Sequence, residues 1–206
     1  MKIIAVGSNY ANSSMSAEEK TRRQTEPIVF LKPDSALLKD GRPFFVPDFS
    51  ADVRYEAELV VRISRLGKCV DKQFAHRYYD AVTVGIDFTA DDLQKQYISK
   101  GLPWELSKGF DDSAAIGTFM PLAQVEHGIQ NIDFSLDVDG TKTQVGCTAD
   151  MLCSVDSILA YVSRFMTLKI GDLLFTGAPV GSAPVKVGQH LDGYIGDTKV
   201  LDFNIR

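Results

Sequence analysis

Apolar and polar positions along this chain fall into short runs that suit strands better than long helices. Residues 2–6, apolar after Lys2, read as a strand, and residues 28–31 form a second, ended by Pro33. Over residues 54–63, Arg54, Glu56 and Glu58 alternate with Val53, Tyr55, Ala57 and Leu59, which predicts a strand with one polar and one apolar face. The pattern predicts a helix over 72–81, a buried strand over 82–88 and a helix over 89–98, with Thr89 as N-cap and Asp92 at N3. Residues 134–138 and 142–145 flank Asp139-Gly140, a two-residue hairpin turn. Ile158, Tyr161, Val162 and Phe165 mark one apolar helix stripe. Residues 11–25 are polar and read as a surface segment with one helical turn. After Gly171 the chain is short strands and Gly/Pro turns. The order is β-rich with a few helices, an α+β arrangement rather than regular βαβ repeats.

Bulk properties narrow the class. The chain of 206 residues is long enough for one domain with a real core, so residues 1–206 are expected to form a single domain. A net charge of −5 and the lack of any Lys/Arg run argue against a nucleic-acid partner. No apolar stretch is long enough to span a bilayer, and the N-terminus lacks a signal-type basic region, so a cytoplasmic protein is expected. Cys69, Cys147 and Cys153 have no framework spacing and read as reduced thiols. His76, His127 and His190 have no ligand-like spacing.

The chemistry concentrates around residues 52–61. Glu56 and Glu58 share one strand face and stand about 7 Å apart along it. Asp87 closes the apolar run Val82-Thr83-Val84-Gly85-Ile86, and Asp91 and Asp92 follow. Like charges near a core need a compensating cation, and Mg²⁺ or Mn²⁺ held by a few carboxylates plus waters leaves positions for a substrate. From spacing alone two readings stand: a divalent-cation site at Glu56, Glu58 and Asp87, or a solvated strand face.

Several ordered motifs bear on that choice. They are Gly7-Ser8-Asn9-Tyr10, Phe30-Leu31-Lys32-Pro33, Tyr55-Glu56-Ala57-Glu58-Leu59, Ile86-Asp87-Phe88-Thr89-Ala90, Lys108-Gly109-Phe110-Asp111, Gly171-Asp172-Leu173 and Thr176-Gly177-Ala178-Pro179. Together they resemble the fumarylacetoacetate hydrolase family over nearly the whole chain. The resemblance implies a mixed β-sandwich or β-roll and a homodimer. It implies Mg²⁺, Mn²⁺ or Ca²⁺ on Glu56, Glu58 and Asp87, with Lys108 assisting catalysis beside the metal. It places substrate contacts at Tyr10, Thr176 and Gly177, and implies a small-molecule 2-oxo acid substrate whose enolate the metal stabilises.

This sequence departs from the family pattern at three places. Ser13 stands where hydrolytic members carry a His that pairs with a lid Glu to activate water. Asp91 stands where the family has Arg, and Ala178 where it has Thr. Arg54 or Lys100 could replace the missing cation. The empty His position favours a decarboxylase or isomerase over a hydrolase, because those reactions need a stabilised enolate and a proton carrier but no activated water. The alternative is a metal-binding protein of this fold that has lost catalysis and serves as a ligand-binding or scaffold module.

Overall fold

The computed structural model describes all of residues 1–206. In chain order the elements are β1 (Ile3–Gly7), α1 (Ala17–Thr25), β2 (Ile28–Lys32), β3 (Leu37–Leu38), β4 (Val53–Ile63), β5 (Tyr79–Ala90), α2 (Asp91–Ser99) and β6 (Ala114–Ile116). They continue with β7 (Met120–Pro121), β8 (Asp133–Val138), β9 (Thr141–Cys147), α3 (Val155–Ser163), β10 (Leu173–Phe175), β11 (Ala183–Pro184), β12 (His190–Ile195) and β13 (Thr198–Asn204).

The strands form two sheets. The larger runs β2-β1-β10-β4-β5-β6-β3, with β11 also on β4 and β7 also on β5. The smaller runs β13-β12-β8-β9. Pairing is antiparallel except for β1 with β10 and β3 with β6. The small sheet packs across one face of the large one, where Leu136, Leu191 and Phe203 meet Leu59, Val84 and Phe88 in the main core. A second, smaller core of Ile3, Ala5, Phe30, Val60, Leu173 and Phe175 covers part of the opposite face. Strands β1 and β10 are therefore buried on both sides, which explains their continuous apolar runs.

Asp139 and Gly140 close the β8–β9 hairpin with positive φ at both residues, the conformation a two-residue primed turn requires. Four expectations need correction. The helix expected over 72–81 is a 3-10 turn at Lys72–Arg77. Strand β5 begins at Tyr79, because pairing with Ile63 and Arg62 of β4 satisfies that backbone and overrides the local helical pattern. Thr89 lies in β5 and caps nothing; α2 starts at Asp91, with Ala90 at the N-cap position and no side-chain cap. Residues 17–25 make a full helix, with the Ser16 hydroxyl accepting from Glu19 N–H at 3.1 Å. Helix α3 ends at Ser163, which leaves Phe165 exposed.

The large sheet is strongly curled. Three strands separate β2 from β5 in the sheet order, a span of about 19 Å in a flat sheet. Yet the ammonium of Lys32 on β2 lies 2.6 Å from Asp87 on β5. Only a sheet rolled back on itself allows this contact, and the roll encloses the polar face of β4.

Candidate active site

The register of β4 on β5 builds the floor of the site. Glu56 lies directly opposite Asp87, and Glu58 lies opposite Gly85. The predicted alternation holds: Glu56 and Glu58 share a face, and Asp87 joins them across the ladder. Directly opposed like charges destabilise a strand pair unless a cation sits between them. Lys108 supplies it. Its Nζ donates to Glu56 Oε2 at 2.7 Å, Asp87 Oδ2 at 2.8 Å and Thr89 Oγ1 at 2.6 Å. The Thr89 hydroxyl donates in turn to Glu56 Oε2 at 3.1 Å. Lys108 reaches this point from a loop that a 3-10 turn, Glu105–Ser107, delivers over the sheet.

A second ammonium lies beneath the floor. Lys32 is fully buried and faces Asp87 Oδ1, Phe88 O, Ser113 O, Ser113 Oγ and the carbonyl of Lys108. It ties β2, the end of β5 and the Lys108 loop to one point. Sequence reasoning left Lys32 open between a surface position and a place near the substrate. The signal was available in strand alternation, which puts Lys32 on the face of buried Phe30.

Charge balance sets the electrostatics. Burial pushes the Asp87 carboxyl up, but the ammoniums of Lys108 and Lys32 more than reverse this and hold it below its usual value. Burial would lower Lys108, yet Asp87 and Glu56 hold it above the ordinary lysine value. Lys32 is lowered to about 8, chiefly by burial. Glu58 differs from its neighbours. It is 3% exposed and no ammonium touches it; the hydrogen bond it accepts is from Gly177 N–H at 2.7 Å. Burial, followed by the charges of Asp87 and Glu56, raises its pKa well above the usual carboxylate range.

These groups open into a cavity of about 630 Å³ lined by Glu56, Glu58, Asp87, Lys108, Tyr10 and Gln94, with Phe30 and Trp104 in its wall. Phe30 and Trp104 meet edge to face at 5.2 Å, and Lys108 Nζ sits 5.3 Å from the Phe30 ring centre. Tyr10 is buried and its hydroxyl has no protein partner; burial, then the Glu58 charge, raises its pKa.

Thr176 and Gly177 sit behind the floor instead of lining the cavity. The Thr176 hydroxyl donates to Leu59 O at 2.7 Å, and Gly177 holds Glu58. Gly177 has φ +99, and an added Cβ would fall 2.6 Å from Asn9 Cβ. Asn9 fixes this loop from below, donating to Thr176 O and Cys153 O while accepting from Cys153 N–H. Gln144 joins β4 to the same loop by accepting from Ala57 N–H and donating to Pro179 O. Asn9 and Gln144 work through contacts between distant segments, which single-sequence patterns do not carry.

The departures are also located. Ser13 is exposed and outside the lining. Asp91 faces Arg54 and Lys95, at 3.4 and 2.5 Å. Neither Arg54 nor Lys100 lines the cavity, so neither replaces a cation there.

The oxygen donors of Glu56, Glu58 and Asp87 fit a hard divalent cation. Three carboxylates face two ammoniums, and Glu58 is buried without a counter-charge. A tighter grouping of possible ligands occurs at His190, Asp192 and Asp202, whose atoms lie within 4.8 Å of one another. Lys199 already pairs with both of those aspartates, and the group lies outside the cavity.

The curled α+β fold defines a structural class, and the known proteins similar to this chain give that class a name. The family described as fumarylacetoacetate (FAA) hydrolase C-terminal matches residues 2–204, and the chain belongs to this family of enzymes. Oxaloacetate tautomerase of Escherichia coli (strain K12) is 35% identical over 97% of this chain and 92% of its own length. The mitochondrial oxaloacetate decarboxylase of Dictyostelium discoideum is 38% identical over 99% and 93%. Fumarylpyruvate hydrolase from Pseudomonas aeruginosa, solved in complex with Mn²⁺ and pyruvate, superposes with a TM-score of 0.87 at 33% identity, over 100% of this chain and 89% of that one.

Proposed function

We propose that this chain is a divalent-cation-dependent enzyme acting on a 2-oxo acid or its enol. The reaction is proton transfer between keto and enol forms or loss of carbon dioxide, in preference to water-dependent C–C cleavage. The observation that carries this reading is the Lys108 ammonium held between Glu56 and Asp87 on the cavity floor, beside the uncompensated Glu58. The named activities of the relatives and the pyruvate bound by the Pseudomonas aeruginosa enzyme support the substrate class.

Glu56, Glu58 and Asp87 would hold the cation. When bound, it supplies Lewis-acid stabilisation of negative charge on the substrate's oxygens. Lys108 presents a fixed positive charge where enolate charge develops, oriented in advance by three hydrogen bonds. Asp87 and Glu56, which raise its pKa, favour its ammonium form. Phe30 and Trp104 shield this charge from water on one side. Ser13 offers only an exposed hydroxyl, which is no base for activating water.

The test is turnover with Mg²⁺ or Mn²⁺ across oxaloacetate, acylpyruvates and unsaturated hydroxy-diacids. Keto–enol exchange or carbon dioxide release should exceed C–C hydrolysis by at least about tenfold, one general-base contribution being about 100-fold or more. Dominant hydrolysis would refute the order of reactions, and ligand binding with no turnover would make the protein a binding module.

A further inference from the structure

The geometry points to a substrate with an uncharged, apolar tail in place of a second carboxylate. This rests on the reading of the cavity as a 2-oxo acid site, and it narrows that reading.

A second carboxylate entering a partly enclosed cavity needs a cation to replace its lost hydration. Lys108 is the cationic side chain on the lining. An ammonium has three N–H donors, and all three of Lys108's are taken by Glu56, Asp87 and Thr89. Lys32 is sealed behind the floor among five oxygen atoms. Just outside, the Arg54 guanidinium lies 3.2 Å from Asp52 and 3.4 Å from Asp91, and Lys95 lies 2.5 Å from Asp91. Lys32, Lys108, Arg54 and Lys95 are thus already paired with acids of the site and its rim.

The charge balance agrees. Counted as fully ionised, as ligation of a cation requires, Glu56, Glu58 and Asp87 exceed Lys32 and Lys108 by one negative charge. A divalent cation and the substrate's 1-carboxylate bring the site to neutrality, whereas a second substrate carboxylate leaves it negative. The wall offers something else. Ile28, Phe30 and Trp104 line it, and Ile98 and Val180 stand at the mouth with 59% and 69% of their surface exposed. An alkyl tail laid against them removes apolar surface from water on both sides. Loss of carbon dioxide from the tail end requires a second carboxylate, so this selectivity favours keto–enol proton transfer among the reactions above.

The probes are 2-oxopentanoate and 2-oxopentanedioate, which differ only in a terminal methyl or carboxylate. Each is titrated by calorimetry into the Mn²⁺-loaded protein. The monoacid should bind about tenfold tighter or more, the scale on which unpaired buried polar groups discriminate. Equal or tighter binding of the diacid overturns this inference while leaving the 2-oxo acid reading intact. Binding of neither overturns both. Two variants add an independent check, Ile98→Arg and Val180→Arg, at exposed positions where folding is not at risk. Each should shift the ratio at least about fivefold toward the diacid by supplying an unpaired cation. An unchanged ratio in both would mean the tail does not meet this wall, which also overturns the inference.

Discussion

At Glu58 the needs of the fold and of the site oppose each other. A carboxylate 3% exposed with one backbone hydrogen bond weakens the fold, yet it is the donor with the most to gain from a cation. Its folded pKa lies above the unfolded value near 4.5. Between those values the folded state holds a proton that the unfolded state has lost. The stability due to this group is therefore complete below about 4.5 and declines as pH rises through the folded value. Glu58→Gln keeps an acceptor for Gly177 N–H and removes the charge. In chelator-treated protein at pH 7 it should melt about 2–4 °C above the parent, equivalent to about 1 kcal/mol in a chain of this size, and show a weaker decline with pH. The same variant should lose Mn²⁺ binding by at least about tenfold. Calorimetry checks both, and unchanged Mn²⁺ affinity would remove Glu58 from the ligand set.

Among the elements, β2 does more than its five residues suggest. Its apolar positions join the smaller core, and its last residue, Lys32, crosses the rolled sheet to Asp87. Lys32→Met keeps most of the packing volume but leaves Phe88 O, Ser113 O and the Lys108 carbonyl without their buried donor. It should lower stability by about 3 kcal/mol, the range for removing one partner of a buried ion pair. The urea midpoint should fall with an unchanged slope. Turnover should fall as well, because the loop carrying Lys108 loses its anchor, and full activity would show that Lys32 only supports the fold. The corrections at this scale have one cause. Residues 79–81 have a helical local pattern, but β4 offers them a complete hydrogen-bonding partner, and the ladder wins.

For the whole molecule, the site is the place where curvature of the large sheet brings separate segments together. Floor, loops and wall come from β4, β5, the Lys108 loop, β2 and the 176–181 loop. A cation bound by the folded state alone must therefore stabilise the entire fold. At about 100 times its dissociation constant, Mn²⁺ should add about 2.7 kcal/mol and raise the melting temperature by about 5–10 °C. A chelator should reverse the shift. Thermal unfolding with and without Mn²⁺ measures this, and no shift would argue against a cation on these carboxylates.

The sequence by itself determined the strands with regular alternation, the α+β class, the shared face of Glu56 and Glu58, and the Asp139-Gly140 turn. All of these follow from backbone periodicity and local sterics, which neighbouring residues encode. The ordered motifs went further, to Lys108. Tertiary structure decided the rest. It turned Thr89 from a cap into a site hydroxyl, Lys32 into a buried counter-ion, and Thr176 and Gly177 into supports for Glu58. Each of these roles depends on a partner between 19 and 119 positions away. Such contacts exist only after the sheet has rolled, so burial and charge compensation belong to the folded chain as a whole.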